Sequence, residues 1–326
     1  MVKLRYYSYG KYHGDNEMDA YYRNFLLALL IFSVFGTAVA KEKPITTVGF
    51  VQDNMANDWR RNQVVELEKA FSKYPDVRFI YADAKGSAAR QVLETENMID
   101  QGIDILISSP QDSKLMRPVL ERAYDNGIHV IMLTRKISGN KYTTYISPDD
   151  YGIATKSADL IARHLNNKGN IVMIRGVTTA TTAKLRTDGF VDRIKKYPQL
   201  KIVKTLDGNY LRQDTMREME RSLSQGIKFD AIYAQSDSMA AGARLVMKKY
   251  GIKPENKIII GIDYIKEAQT AILSGEQTAT FTYPSCSLQA ANVVRDLLDG
   301  KKVAKRIKVP SYTIDRENAG TIHPIF

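Results

Sequence analysis

Apolar and polar positions alternate in blocks from residue 45 to the C-terminal end. Short apolar runs cover residues 45–51, 77–82, 103–107, 129–133, 170–174, 201–206, 229–234, 258–262 and 278–283. Most are rich in Val, Ile, Phe and Tyr and lack internal Pro, as strands buried on both faces require. Between them apolar residues recur at helical spacing: Val64, Val65, Leu67 and Phe71; then Leu93, Met98 and Ile99; then Leu115, Val119, Leu120 and Ala123. Strand–helix alternation over this length predicts βαβ units and parallel sheets with right-handed crossovers. Four units before about residue 145 and four after it exceed one small sheet, so two lobes are expected. The expected fold class is α/β, two doubly wound parallel-sheet lobes joined by a three-crossing hinge. The turn-rich segment 139–151, with Gly139, Asn140 and Pro148, is the first expected crossing. Segments 278–284 and 309–313 are the second and third.

The strand ends carry the candidate chemistry. In open parallel sheets, ligands sit beyond the carboxyl ends of the strands. Here those ends read Gln52-Asp53-Asn54, Asp83, Ser108-Ser109, Thr134-Arg135, Arg175-Gly176, Asp207, Gln235-Ser236-Asp237 and Asp263. Helix capping accounts for several of them, since Ser, Asp and Asn are favoured at helix starts. Capping does not account for Arg135, directly after a wholly apolar strand. Arg60, Arg135 and Arg186 with Asp237 and Asp263 make a set of fork donors and carboxylate acceptors. Sugar hydroxyls require that mixture, each charge-assisted hydrogen bond contributing ~1.5–3 kcal/mol. Trp59, the single tryptophan, suits either stacking on a sugar ring or the core.

Composition and charge narrow the setting. The 326 residues are 44% hydrophobic and 25% charged, ordinary for a globular chain. The net charge of +11 is scattered, without a block of five or six like charges, so no nucleic-acid partner is expected. Arg23, the apolar run 25–35 and Ala38-Val39-Ala40 form the pattern of a signal peptide over residues 1–40, cleaved before Lys41. Residues 25–40 fall short of the ~20 apolar residues that span a bilayer. Periplasmic export is therefore expected. One cysteine, Cys286, permits no intramolecular disulfide and reads as a small core residue.

At these residues the chain resembles the type I periplasmic sugar-binding proteins, the ribose- and galactofuranose-binding group. The similarity runs over about residues 45–313. VGFVQ followed by Asp58-Trp59-Arg60 resembles the family's first strand and stacking aromatic. QGIDILISSP (101–110), IHVIMLTR (128–135), LRTDGF (185–190), YAQSDSMAAGA (233–243) and IIIGID (258–263) follow at family-like spacing. The resemblance implies lobes of residues 44–146 plus 283–311 and 147–282 plus 312–326. It implies ligand contact by Asn57, Trp59, Arg60, Ser109, Arg135, Arg186, Ser236 and Asp263, with Asp237 beside them as a second acid and Tyr283 near another usual contact. Thr134 stands where the family usually has a ligand-binding aspartate, and Ser236 where it usually has an asparagine. The hydroxyl pattern of ordinary ribose or glucose recognition is therefore not carried over.

The implied function is a monomeric receptor that closes on a sugar or sugar-like ligand and docks on an ABC permease. A membrane sensor protein is the alternative partner. No cofactor, no metal and no catalysis are expected. The chain has no G-x-S-x-G, H-E-x-x-H, P-loop or C-x-x-C, and its four histidines are dispersed. Gly176-Val177-Thr178-Thr179, before a helix, can cradle a phosphate but reads first as a helix cap. A transcription regulator of this fold would need a helix-turn-helix where the export signal stands.

Overall fold

The computed structural model describes residues 45–326. The expected leader, residues 1–40, lies outside the described residues. Among those residues no helix is long and apolar enough to cross a membrane.

The first strand, β1 (Thr46–Gln52), is an interior strand of one sheet, next to its edge. It pairs in parallel with β2 (Val77–Asp83) and β3 (Ile105–Ser108). Helices α1 (Asp58–Phe71), α2 (Ala88–Asp100) and α3 (Arg117–Asp125) alternate with these strands, and β4 (His129–Leu133) and β5 (Thr144–Ser147) extend the sheet. Gly49 allows a close approach at β1, since a Cβ there would lie 2.9 Å from Met98 Sδ and 3.1 Å from Ile103 Cδ1.

After β5 the chain enters a second sheet through α4 (Asp150–His164), β6 (Lys168–Arg175), α5 (Thr181–Ile194), β7 (Gln199–Asp207), α6 (Arg212–Ser224), β8 (Ala231–Ala234), α7 (Asp237–Lys249), β9 (Ile258–Ile260) and α8 (Lys266–Ser274). Strand β10 (Thr280–Phe281) leads back to α9 (Ser287–Leu298) and β11 (Arg306–Lys308), and β12 (Thr313–Ile314) closes on β10. The first sheet has order β11-β5-β4-β3-β1-β2 and the second β7-β6-β8-β9. Every pair within these two sheets is parallel.

The apolar runs become strands because helices cover both faces. Val48, Phe50, Ile105 and Ile131 pack under α1 and α9, while Val51, Leu106 and Val130 pack under α2 and α3. The second sheet repeats this, with Ile171 and Met173 under α4 and α5, and Val172 and Ile174 toward α7. Three strands are absent from the sequence reading: β5, β11 and β12. Each has two to four residues, too short to show a period. Their pairing partners, not their own pattern, make them strands. Strand β5 occupies part of the segment read as the first crossing, and the chain leaves the first sheet just beyond it, at Pro148-Asp149.

Candidate functional site

The carboxyl ends of both sheets meet at a narrow cavity of about 30 Å³, below the size range of small-molecule sites. Asn57, Trp59 and Arg60 line it from the β1–α1 turn. Thr182 and Arg186 line it from α5, Tyr210 from the β7–α6 loop, Ser236 from the end of β8, Asp263 from beyond β9, and Tyr283 from the return crossing.

Asn57 starts α1 as its N-cap, its side chain accepting from Arg60 N at 3.0 Å. Its amide also donates to the Tyr210 carbonyl at 2.7 Å, joining the two walls. The cap fixes the first helical turn, so Trp59 and Arg60 enter the cavity side by side. Trp59 is buried, and its Nε1 donates to the Tyr283 carbonyl at 3.0 Å. It packs in the core of the second sheet with Phe190 and Tyr233 while also lining the cavity.

Arg60 donates from Nη1 to Ser109 Oγ at 2.9 Å and to Thr134 Oγ1 at 3.4 Å. Burial, and then Arg135 nearby, push its guanidinium down to about 10. Arg135 is wholly buried and donates to Asp53 Oδ2 at 2.7 Å. Asp53 also faces Arg60 Nε at 3.4 Å. Burial alone would raise the Asp53 carboxyl, but Arg135 and Arg60 outweigh it and hold it below the usual range. One carboxylate thus serves two guanidiniums, and Arg135 Nε and Nη2 have no partner.

On the opposite wall Arg186 donates from Nε to Asp150 Oδ1 at 2.8 Å. Its guanidinium lies 4.4 Å from the Tyr283 ring centre and 5.9 Å from that of Tyr210. The Tyr283 hydroxyl donates to Asp150 Oδ2 at 3.2 Å. Asp263 is the only carboxylate among the lining residues. It stands at φ +128°, a conformation L residues rarely adopt. Burial first, with Asp237 adding to it against Arg186, pushes its carboxyl well above the usual range.

The candidates do not all face the cavity. Asn57, Trp59, Arg60, Arg186, Ser236 and Asp263 line it. Ser109 and Thr134 lie behind Arg60, with Thr134 at φ +60°. Arg135 lies behind Tyr210, its guanidinium 5.4 Å from the ring centre. Asp237 is turned away, accepting from Gln277 Nε2, Thr280 Oγ1 and Tyr264 N at 2.7–2.8 Å. That network braces the β8 and β9 ends rather than the cavity. Tyr210 and Thr182 were missed, as were the counter-ions Asp53 and Asp150. The sequence signal for Tyr210 is the Gly208-Asn209 pair before it, a turn where Asn209 and Tyr210 take φ of 52° and 62°. Gly176 makes room for the ring, since a Cβ there would lie 2.0 Å from Tyr210 Cζ.

A model of the periplasmic binding protein domain matches residues 48–302. The galactofuranose-binding protein of Escherichia coli K12 is 27% identical over 263 residues, covering 78% of this chain and 82% of that protein. The ribose import binding protein of Bacillus subtilis 168 is 26% identical over 266 residues, covering 81% and 85%. Among solved structures, the fructose-binding periplasmic domain of a hybrid two-component system superposes with TM-score 0.80 at 31% identity, over 84% of this chain and 92% of that one. An ABC transporter solute-binding protein from Bacillus halodurans C-125 with bound myo-inositol has TM-score 0.80 and 25% identity, over 86% and 98%.

Proposed function

The chain belongs to the periplasmic binding protein family, and on that premise we propose that its cavity closes on a sugar or sugar-like ligand in the periplasm. The observation that carries this reading is the composition of the cavity. Fork donors from both walls, Arg60 and Arg186, face one free carboxylate, Asp263, between the rings of Trp59, Tyr210 and Tyr283. Hydroxyls take the donors and the acceptor, and the rings cover apolar C–H faces.

In this reading Asn57, Trp59, Arg60, Arg186, Ser236 and Asp263 touch the ligand, joined by Thr182, Tyr210 and Tyr283. Ser109 and Thr134 hold the Arg60 guanidinium in place, Arg135 holds Asp53, and Asp237 braces the strand ends. Residues 44–146 plus 283–311 move as one lobe, 147–282 plus 312–326 as the other, about the three crossings. Ligand contacts from both lobes favour the closed state, so ligand shifts the population toward it. The chain is exported by cleavage after Ala40, acts as a monomer and delivers the ligand to an ABC permease. Sensing through a membrane kinase is the second reading, favoured by the likeness to the fructose-binding domain of a hybrid two-component system. In neither role does the protein carry out chemistry on its ligand.

The test is a thermal-shift screen of residues 41–326 against sugars, furanose derivatives and polyols, with Trp59 emission recorded alongside. A ligand at a hundred times its dissociation constant adds ~2.7 kcal/mol, so a true ligand raises the midpoint and changes the emission of the single tryptophan. Neither response at millimolar concentrations across the panel would overturn the reading.

A further inference from the structure

The cavity between the sheet ends holds about 30 Å³. One water needs ~10–15 Å³ of such space, so the cavity takes two or so waters and no sugar ring. Small-molecule sites begin at about 300 Å³. In this conformation a side chain takes up the difference, and the contacts around the cavity identify it as Tyr210.

The Tyr210 ring stands among the polar groups of both walls. Its centre is 5.4 Å from the Arg135 guanidinium and 5.9 Å from that of Arg186. Arg135 Nε and Nη2 are buried behind it without a partner. The ring therefore covers donors that nothing else satisfies, and cation–π attraction offsets only part of that cost. Gly176 permits the depth of insertion, since a Cβ there would overlap the ring.

Holding the ring in place is costly in two further ways. Its hydroxyl is buried without a partner of hydrogen-bond geometry, so its desolvation is not compensated. Its backbone, with that of Asn209 before it, lies in the left-handed region at φ of 62° and 52°, where a bulky residue is strained. There is also room for the ring to go. A second pocket, of about 280 Å³, shares only Asn57 and Tyr210 with the cavity. Asp58, Arg212, Gln213 and Ser238 are among its other walls, so a phenol turned into it meets polar groups.

We propose that Tyr210 is the gate of the site: its ring fills the place of the ligand, and a ligand enters as the ring turns from the cavity into the neighbouring pocket. The turn releases the buried hydroxyl and uncovers the unpaired nitrogens of Arg135. The Asn57 amide, which donates to the Tyr210 carbonyl at 2.7 Å, keeps the two walls joined while the ring moves. The inference rests on the sugar-binding reading and adds the step that admits the ligand.

Stopped-flow Trp59 emission tests it, with residues 41–326 as parent, Tyr210→Gly and Tyr210→Phe, each mixed with D-ribose, D-fructose or myo-inositol. Glycine removes the ring and accepts a φ of 62° without strain. The parent's observed rate is expected to level off at high probe concentration, because the ring must move first. At least one probe is expected to associate with Tyr210→Gly about tenfold faster or more, at a rate linear in concentration. Tyr210→Phe lacks the unpaired hydroxyl, so its ring sits more firmly. Its ligand-free thermal midpoint is expected to rise by about 2–4 °C, and its association to slow about 5-fold. Association with Tyr210→Gly no faster than with the parent would overturn the gate and leave the sugar-binding reading standing. No probe bound by any of the three proteins would overturn both. Should Tyr210→Gly fail to fold, Tyr210→Phe decides: an unchanged midpoint and an unchanged rate would overturn the gate.

Discussion

Arg135 serves two demands that pull apart under mutation. Read from its place after an apolar strand, it belongs to the ligand. In the folded chain it is also a wholly buried partner of Asp53, so removing it harms both binding and stability. Arg135→Ala is expected to abolish ligand binding and to destabilise the ligand-free protein by ~3 kcal/mol, the lower end for breaking a buried pair, because Arg60 still faces Asp53. Chemical denaturation checks this, and an unchanged stability would mean that the pair contributes nothing. Asp263 runs the other way. Its carboxyl titrates well above 3.8 when folded. Above pH 3.8 the unfolded chain releases a proton that the folded chain keeps, so stability falls as pH rises through that window. Asp263→Asn is expected to raise the ligand-free thermal midpoint by a few degrees, more at pH 7 than at pH 4, while weakening ligand binding. An equal gain at both pH values would remove ionisation as the cause. At this scale Arg135 was marked by its place directly after an apolar strand, but it pairs with Asp53 behind Tyr210 and does not line the cavity. Asp53 was visible at a strand end, but its role was not, since its partners lie 7 and 82 residues away. Tyr210 and Asp150 gave no comparable signal, one sitting in a turn and the other in a crossing.

Elements follow from local pattern where they are long. The expected helices around Val64–Phe71 and Val119–Ala123 appear as α1 and α3, and long strands such as β1 and β2 match their apolar runs to within about a residue. Their ends depend on caps. Ser87 opens α2 and accepts from Arg90 N at 3.2 Å, and it is not among the residues lining the cavity. Ser87→Ala is expected to cost ~1 kcal/mol, seen as a midpoint lower by about 2–4 °C, with ligand affinity unchanged. A change in affinity would tie α2 to the site. The short strands β5, β11 and β12 lack a local signature and exist because a neighbour supplies a ladder. Helix α5 shows the opposite mismatch: its threonine-rich start resembles a cap, and tertiary contacts use those hydroxyls instead.

At the scale of the molecule, closure depends on bonds between the walls. Thr179 Oγ1 to Gln111 O and Asn57 Nδ2 to Tyr210 O both span the cleft. A hydrogen bond of this kind contributes ~0.5–1.5 kcal/mol. Thr179→Val removes only the first, because Asn57 also caps α1. It is expected to speed ligand release about 2- to 10-fold, with the association rate little changed, as read by stopped-flow Trp59 emission. An unchanged release rate would mean that this bond is not part of closure. The alternation of buried strands and amphipathic helices determined by itself that the chain is an α/β protein of parallel sheets. Apolar periodicity reports burial directly, and the polar strand ends supplied the candidate site residues. Only the tertiary structure decided which of those polar ends share a cavity, which arginine has its own counter-ion, and which hydroxyls are left unpaired. Those outcomes depend on distances between residues far apart in the chain, and burial makes an unmatched charge or hydroxyl costly.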